Sequence, residues 1–172
     1  EQSLSSMRII RKNRILEQKA YIDVHTGLPN KSKCEELFSD MSFITEPTAC
    51  LMFDLNNLKS ANDTLGHSAG DQLIASFARV LRNVIPAKDF VGRYGGDEFV
   101  VILYNITENT VNGLLTQLHN EVMQFNRGGN NIPISYAQGW AVSTDYTDCT
   151  LRTLFDKADH FMYTNKVRVK SE

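Results

Sequence analysis

Three acidic residues in two separate places carry the chemistry this 172-residue sequence can do. Asp97 and Glu98 stand back to back in "RYGGDEFV", Arg93 to Val100, between two glycines and an apolar run. Asp54 ends a second apolar run, "TACLMF". Burying an unpaired carboxylate is costly, and two like unit charges ~4 Å apart repel by about 4 kcal/mol at an effective dielectric of 20. If the strand ending at Asp54 neighbours the one beginning at Glu98, three carboxylates crowd one end of a sheet. A divalent cation offsets that repulsion, and hard oxygen ligands completed by water and phosphate suit Mg²⁺ in nucleotide transfer. The same residues also fit a plainer use, a solvated acidic turn and an Asp that starts a loop. In a regular strand adjacent side chains point to opposite faces, so Asp97 and Glu98 serve one site only where the Gly95-Gly96 turn distorts the backbone.

The elements that must position these acids follow from periodicity. "DFVGRY" and "EFVVILY" read as two strands of a hairpin whose two-residue Gly95-Gly96 turn tolerates positive φ. A helix runs from about Ser5 to Ala20 with a thin stripe of Met7, Ile10, Ile15 and Leu16. Asn30 caps a short helix that carries Cys34, Leu37 and Phe38 on one face. "SAGDQLIASFARVLRNVI" places Leu73, Ile74, Phe77, Val80, Leu81 and Val84 at helical spacing, with Ser68 as N-cap. Val111, Leu114, Leu115, Leu118, Val122 and Phe125 mark another helix, and "IPISYAQGWAV" a further strand region. Leu151, Leu154, Phe155, Ala158 and Met162 mark the last helix, opened by Thr150 and running out near Lys166. Interleaved strands and helices imply an α/β (α+β) fold, a single mixed central sheet of about five strands flanked by helices, with an N-terminal helix.

Eighteen basic against twenty acidic side chains give a net charge of -2, so nothing attracts nucleic acid or an anionic membrane globally and an anionic ligand needs a local site. Cys34, Cys50 and Cys149 are odd in number and far apart, which fits reduced thiols packed as small apolar residues in the cytoplasm. No apolar run approaches the ~20 residues needed to cross a bilayer, and the first residues are too charged for a signal peptide. The expectation is a soluble fragment without membrane contact. There is no Gly-Lys pair for a P-loop and no G-x-G-x-x-G. An EF-hand reading of "DLNNLKSANDTLG" fails because Leu58 takes the fifth ligand position and Lys59 the glycine position. His25, His67, His119 and His160 have no nucleophile partner evident in the sequence.

Four stretches in order, "DVHTGLPN" (Asp23 to Asn30), "FDLNNLKSANDTLGHSAGDQL" (Phe53 to Leu73), "RYGGDEF" and "KADHFMYTNK" (Lys157 to Lys166), resemble the motifs of the GGDEF family of diguanylate cyclases. The resemblance covers roughly Asp23 to Lys170. It implies a signalling or linker helix over residues 1–22 and a GGDEF domain over 23–172 with a palm-like nucleotide cyclase fold. Members of the family condense two GTP into cyclic di-GMP and two pyrophosphates, one GTP held by each subunit of a homodimer. By that resemblance Asp54, the Leu55 carbonyl, Asp97 and Glu98 hold Mg²⁺, two ions per site, for which Mn²⁺ can substitute. Asp97 is also the candidate base for attack of a 3′-hydroxyl on an α-phosphate, and Lys59 the transition-state cation. Asn62 and Asp71 match the pair that reads guanine. Backbone N–H groups around Asn57 and Leu58 meet phosphate if that stretch opens a helix, and Lys166 and Lys170 match the γ-phosphate cations.

The chain also departs from the family pattern. Lys170 follows Val169 where Arg after Gly is commoner, which gives up the bidentate fork. Asn56 and Asn57 stand where many relatives carry Asp and Phe. Pro86-Ala87-Lys88-Asp89 replaces the R-x-x-D product-inhibition site, which implies weak or absent feedback. The other reading of the resemblance is a catalytically silent member that binds GTP or a protein partner. An upstream sensory domain is expected beyond the sequence given, with the fragment cytoplasmic, alone or as part of a longer, membrane-anchored protein.

Overall fold

A computed structural model describes residues 2–129 and 132–171, with side chains described over 3–129 and 132–167. In chain order its elements are α1 (Gln2–Tyr21), α2 (Lys31–Phe38), β1 (Ala49–Leu55), α3 (Leu58–Leu65), α4 (His67–Val84), β2 (Phe90–Arg93), β3 (Glu98–Leu103), α5 (Thr110–Arg127), β4 (Tyr136–Val142) and α6 (Leu151–Ser171). The strands lie in the order β2-β3-β1-β4, and every neighbouring pair is antiparallel.

This corrects the expected mixed sheet of about five strands. Each strand–helix–strand crossover encloses a strand: α3 and α4 carry the chain from β1 past β3 to β2, and α5 carries it from β3 past β1 to β4. Strands that run parallel therefore never touch, the split βαβ arrangement. The run before Tyr136 forms no strand because its polar backbone is bonded elsewhere. The Asn126 carboxamide takes both the N–H (2.7 Å) and the carbonyl (2.9 Å) of Ile134, and Pro133 has no N–H to give.

Alternation along the strands sorts two cores. On β1, Ala49, Leu51, Phe53 and Leu55 meet Leu73, Phe77 and Leu81 of α4 and Leu118 of α5. Cys50 and Met52 face the other way, with Cys34 and Phe38 of α2 and Leu154 and Ala158 of α6. Phe77 stands edge-on to Phe53 at 5.9 Å and to Phe99 at 5.1 Å between centroids. Burying each such side chain contributes about 1.5–3 kcal/mol. The same alternation puts Asp54 on the α6 face, and the register Asp54↔Glu98 puts Glu98 beside it. At Gly139 of β4 a Cβ would lie 2.0 Å from the Met162 backbone nitrogen. That glycine lets α6 lie on the sheet and carry Lys166 to the end of β1.

Other differences are local. The last helix passes Lys166 and runs to Ser171, and the first spans Gln2–Tyr21. Asn30 caps α2 as expected, its side chain accepting from Lys33 N at 3.1 Å, and Thr150 Oγ1 accepts from Thr153 N at 3.2 Å. Ser68 is not the N-cap of α4. That helix begins at His67 behind Gly66, whose φ of 93° and ψ of 168° only glycine adopts readily. The three cysteines are buried and free, and burial, then the nearby Glu35 charge, pushes the Cys34 thiol up to about 12. Among the described residues no helix is long and apolar enough to cross a membrane.

Candidate functional site

The hairpin bearing Asp97 and Glu98 is present, but its turn is wider than two residues. Tyr94 N and Gly95 N both donate to the Glu98 carbonyl, at 2.8 and 3.2 Å. Neither Gly95 nor Gly96 has positive φ. A Cβ on Gly95 would lie 2.9 Å from Glu98 Oε2, so a side chain there would displace the Glu98 carboxylate. The turn is pinned to β1 by Leu55 N, which donates to the Asp97 carbonyl at 2.8 Å. In this wide turn Asp97 and Glu98 face different clefts. Asp97 lines a cleft of about 550 Å³ with Leu55, Asn57, Leu58, Lys59 and Lys166. Glu98 lines a second, of about 630 Å³, with Asp54, Asp156, Asp159, His160 and Lys166.

Lys166 forms the wall between the two clefts. Its ammonium donates to Asp54 Oδ2 at 2.6 Å, while Asp54 Oδ1 is buried and has no hydrogen-bond partner among the described residues. Asp54 is only 7% exposed. Burial, then the Asp54 charge, raises the Asp97 carboxyl above its ordinary range. Burial, then Asp54, Asp159 and Asp97, raises Glu98 in the same way. The hydrogen bond to Asp54 raises Lys166, with the charges of Asp54, Asp97 and Glu98 outweighing burial. Among the described residues no three carboxylates, imidazoles or thiols stand round one point as a metal ion requires. The bare, buried Asp54 oxygen is nonetheless a hard donor without a partner, and an orphaned acceptor there fits an oxygen-seeking divalent cation.

The remaining candidates fall on the helices after β1. Asn57 takes a left-handed conformation, φ 64° and ψ 16°, and α3 opens behind it. The condition set for phosphate contact is therefore met, because first-turn N–H groups of a helix lack intrahelical partners. Lys59 is exposed on the rim of the same cleft. Asn62 Oδ1 accepts from Gly70 N at 2.8 Å, and Asp71, the next residue after Gly70, is exposed. A Cβ on Gly70 would meet that Asn62 oxygen at 2.4 Å. Lys170 falls in the last turn of α6, and its side chain lies outside the described residues.

Sequence reasoning missed a second tier. Asp23 and Arg93, 70 residues apart, pair at 3.0 Å, and the same guanidinium donates to the Gly96 carbonyl at 2.8 Å. Asp23 Oδ2 accepts from Thr26 N and Oγ1 at 2.9 and 2.7 Å. Burial would push the Asp23 carboxyl up, but the Thr26 hydrogen bonds and Arg93 reverse this and hold it below its ordinary range. The Asp-x-x-Thr spacing signalled the local turn; nothing in the sequence signalled Arg93 as the partner. The guanidinium thus ties the exit of α1 to the acidic turn. We expect Arg93→Met to cost about 1.5–3 kcal/mol, since it takes the charged partner from a half-buried carboxylate and leaves it only the Thr26 hydrogen bonds, and urea denaturation measures that loss. Asp156 and Asp159 in the second cleft were also missed, being ordinary helix acids in sequence.

The sequence profile described as "Diguanylate cyclase, GGDEF domain" matches residues 20–172. The chain is 33% identical over 189 residues to signaling protein YkoW of Bacillus subtilis, covering 99% of this chain and 23% of that protein. It is 27% identical over 162 residues to a diguanylate cyclase of Vibrio cholerae, covering 92% and 50%. It thus spans half or less of these two curated relatives. Among solved structures it is similar to the GGDEF domain of TpbB from Pseudomonas aeruginosa, with TM-score 0.72 and 28% identity over 86% of this chain and 90% of that one. The coiled coil and GGDEF domain of DgcB from Caulobacter crescentus shares the fold, with TM-score 0.78 and 23% identity over 97% and 91%. With the profile match spanning nearly all of the α+β domain that surrounds the acidic turn, the chain belongs to the GGDEF family, the diguanylate cyclase domains.

Proposed function

We propose that this chain is a catalytic diguanylate cyclase domain, over residues 23–172, that joins two GTP molecules into cyclic di-GMP and releases two pyrophosphates. The observation that carries this reading is Asp54, a buried carboxylate with one bare oxygen at a strand end beside Asp97 and Glu98. Asp54, the Leu55 carbonyl, Asp97 and Glu98 would hold one or two Mg²⁺ or Mn²⁺ ions, which when bound neutralise charge on the phosphoryl oxygens and acidify the attacking hydroxyl. The N–H groups opening α3 and the Lys59 ammonium bind the phosphates from the cleft of about 550 Å³. Lys166 and Lys170 serve the terminal phosphate as point charges. Asp97, which lines the same cleft as the N–H groups opening α3, accepts the proton of the 3′-hydroxyl as general base. Attack at the α-phosphorus then expels pyrophosphate.

Asn62 and Asp71 read the base. The Asn62 NH₂ group donates to the guanine carbonyl, and the Asp71 carboxylate accepts from N1–H and N2–H. Gly70 matters because its N–H fixes the Asn62 carboxamide and its missing Cβ makes room for it. We expect Gly70→Ala to weaken GTP binding by about tenfold, the worth of one hydrogen bond, while ATP binding stays as weak as before. Titration of GTP and ATP into the parent and the variant side by side reads this ratio.

One site holding one GTP cannot close a two-nucleotide ring, so the active species is a homodimer. The apolar side chains of α1 support it: Leu4, Met7, Ile9, Ile10, Ile15 and Leu16 are each at least 45% exposed. This helix also suits a link to an upstream sensory domain. Feedback through the usual product site is absent. Asp89 there is occupied by its own fold, accepting from Tyr104 N at 2.9 Å and pairing with Lys88 at 3.1 Å. Added cyclic di-GMP should therefore leave initial rates unchanged. Incubation with GTP and Mg²⁺ followed by product chromatography tests the whole reading. A cyclic dinucleotide formed at a rate that rises with dimer fraction is expected, and its absence from a chain shown to dimerise would favour a silent GTP-binding domain.

A further inference from the structure

Asp54 has two oxygens in unlike states. Oδ2 receives the Lys166 ammonium at 2.6 Å, while Oδ1 is buried without a partner. The carboxylate side chain is 10% exposed and the lysine 30%. One cation of charge +1 thus sits at a strand end where Asp97 and Glu98 add their own negative charge. Lys166 also lines both clefts, so rotation about its flexible stem moves Nζ from Asp54 into the cleft headed by α3 without shifting the backbone. The helix that bears it is held against β4 by the Gly139 contact.

We propose that Lys166 occupies the cation seat of Asp54 in the nucleotide-free chain, so that divalent metal and nucleotide bind as one unit, the triphosphate drawing the ammonium off Asp54 as the metal takes its place. This rests on the GTP and metal reading above. A divalent ion at Asp54 Oδ1 would stand next to the ammonium on Oδ2, and two cations that close repel as strongly as two anions do. Either the ion stays out or the lysine leaves. Phosphate in the cleft supplies the lysine with an alternative partner of high negative charge. Without nucleotide its other neighbours are the carboxylates of the same acidic cluster, Asp97 and Glu98, so the ammonium stays on Asp54 and the seat is closed. The consequence is positive coupling between the two ligands, reciprocal by linkage.

Calorimetric titration of Mn²⁺ into the full chain without nucleotide tests this. Lys166→Met should tighten Mn²⁺ binding by about tenfold or more, equivalent to at least ~1.4 kcal/mol, and Lys166→Arg should not. Adding Asp54→Asn to Lys166→Met should remove the gain. Lys59→Met, which takes away a charge in the same cleft without vacating Asp54, should change affinity by less than about threefold. With a non-hydrolysable GTP analogue present, the parent should bind Mn²⁺ tightly and the difference from Lys166→Met should close. No tightening in Lys166→Met, or equal tightening in Lys59→Met, overturns the proposal while leaving the GTP reading intact. A parent that takes up no Mn²⁺ even with the analogue overturns the GTP reading itself, and this proposal with it.

Discussion

Asp54→Asn is expected to lower cyclic di-GMP turnover by about a thousandfold or more, the scale of loss when a preorganised charge at the phosphoryl centre is removed. The fold should survive the change. Lys166 loses the partner at 2.6 Å but remains within the field of Asp97 and Glu98, and the amide keeps the volume and a hydrogen-bond acceptor at the strand end. Stability should therefore move by no more than ~1 kcal/mol, which thermal melts followed by circular dichroism will show. A variant that keeps a tenth or more of parental turnover would mean that the metal is held without the carboxylate that, among the described residues, is both buried and incompletely bonded.

Asp97→Asn should also lose activity, but in a protein that is more stable than the parent. In the nucleotide-free chain burial and the Asp54 charge raise the Asp97 carboxyl, so the folded state holds that proton more tightly than the unfolded chain does. The sign follows from linkage: the contribution to stability is fully present below the ordinary carboxylate range and is lost as pH rises through the raised value. At neutral pH the ionised Asp97 destabilises the fold. Replacing it by Asn removes a repulsion worth about 1 kcal/mol after discounting for solvent, and raises Tm by roughly 2–4 °C for a domain of this size. The gain should vanish below about pH 4, where Asp is protonated in both states. Turnover should fall by about 10²–10⁴, the usual worth of a general base. Unchanged Tm at pH 7 would mean that Asp97 and Asp54 do not repel, and retained turnover that another group takes the proton.

Lys166 shows where reading the sequence stops. Its chain position relative to the last helix pattern was legible, and by resemblance so was a phosphate role, but its contact is with Asp54, 112 residues earlier. The contact exists because Gly139 lets α6 lie directly on β4, and glycine in a strand does not announce what will cross it. Arg93 is similar. The guanidinium finds Asp23 only because Arg93 N donates to the Pro29 carbonyl at 2.8 Å, fastening β2 to the opening turn. Both pairings are long-range consequences of topology, and no local periodicity encodes them.

Residue order alone determined which segments would be buried, that Asp54 would stand at a strand end, and that Asp97 and Glu98 would follow a hairpin, because alternation and helical spacing are properties of neighbours along the chain. It also carried the family motifs. Only the tertiary structure decided that the sheet has four antiparallel strands, that Asp97 and Glu98 open onto different clefts, and that a lysine stands on Asp54 between them. Those outcomes depend on which strand each crossover encloses and how closely a helix approaches the sheet. Distances between groups far apart in sequence are set by packing, and packing is decided by all the residues at once.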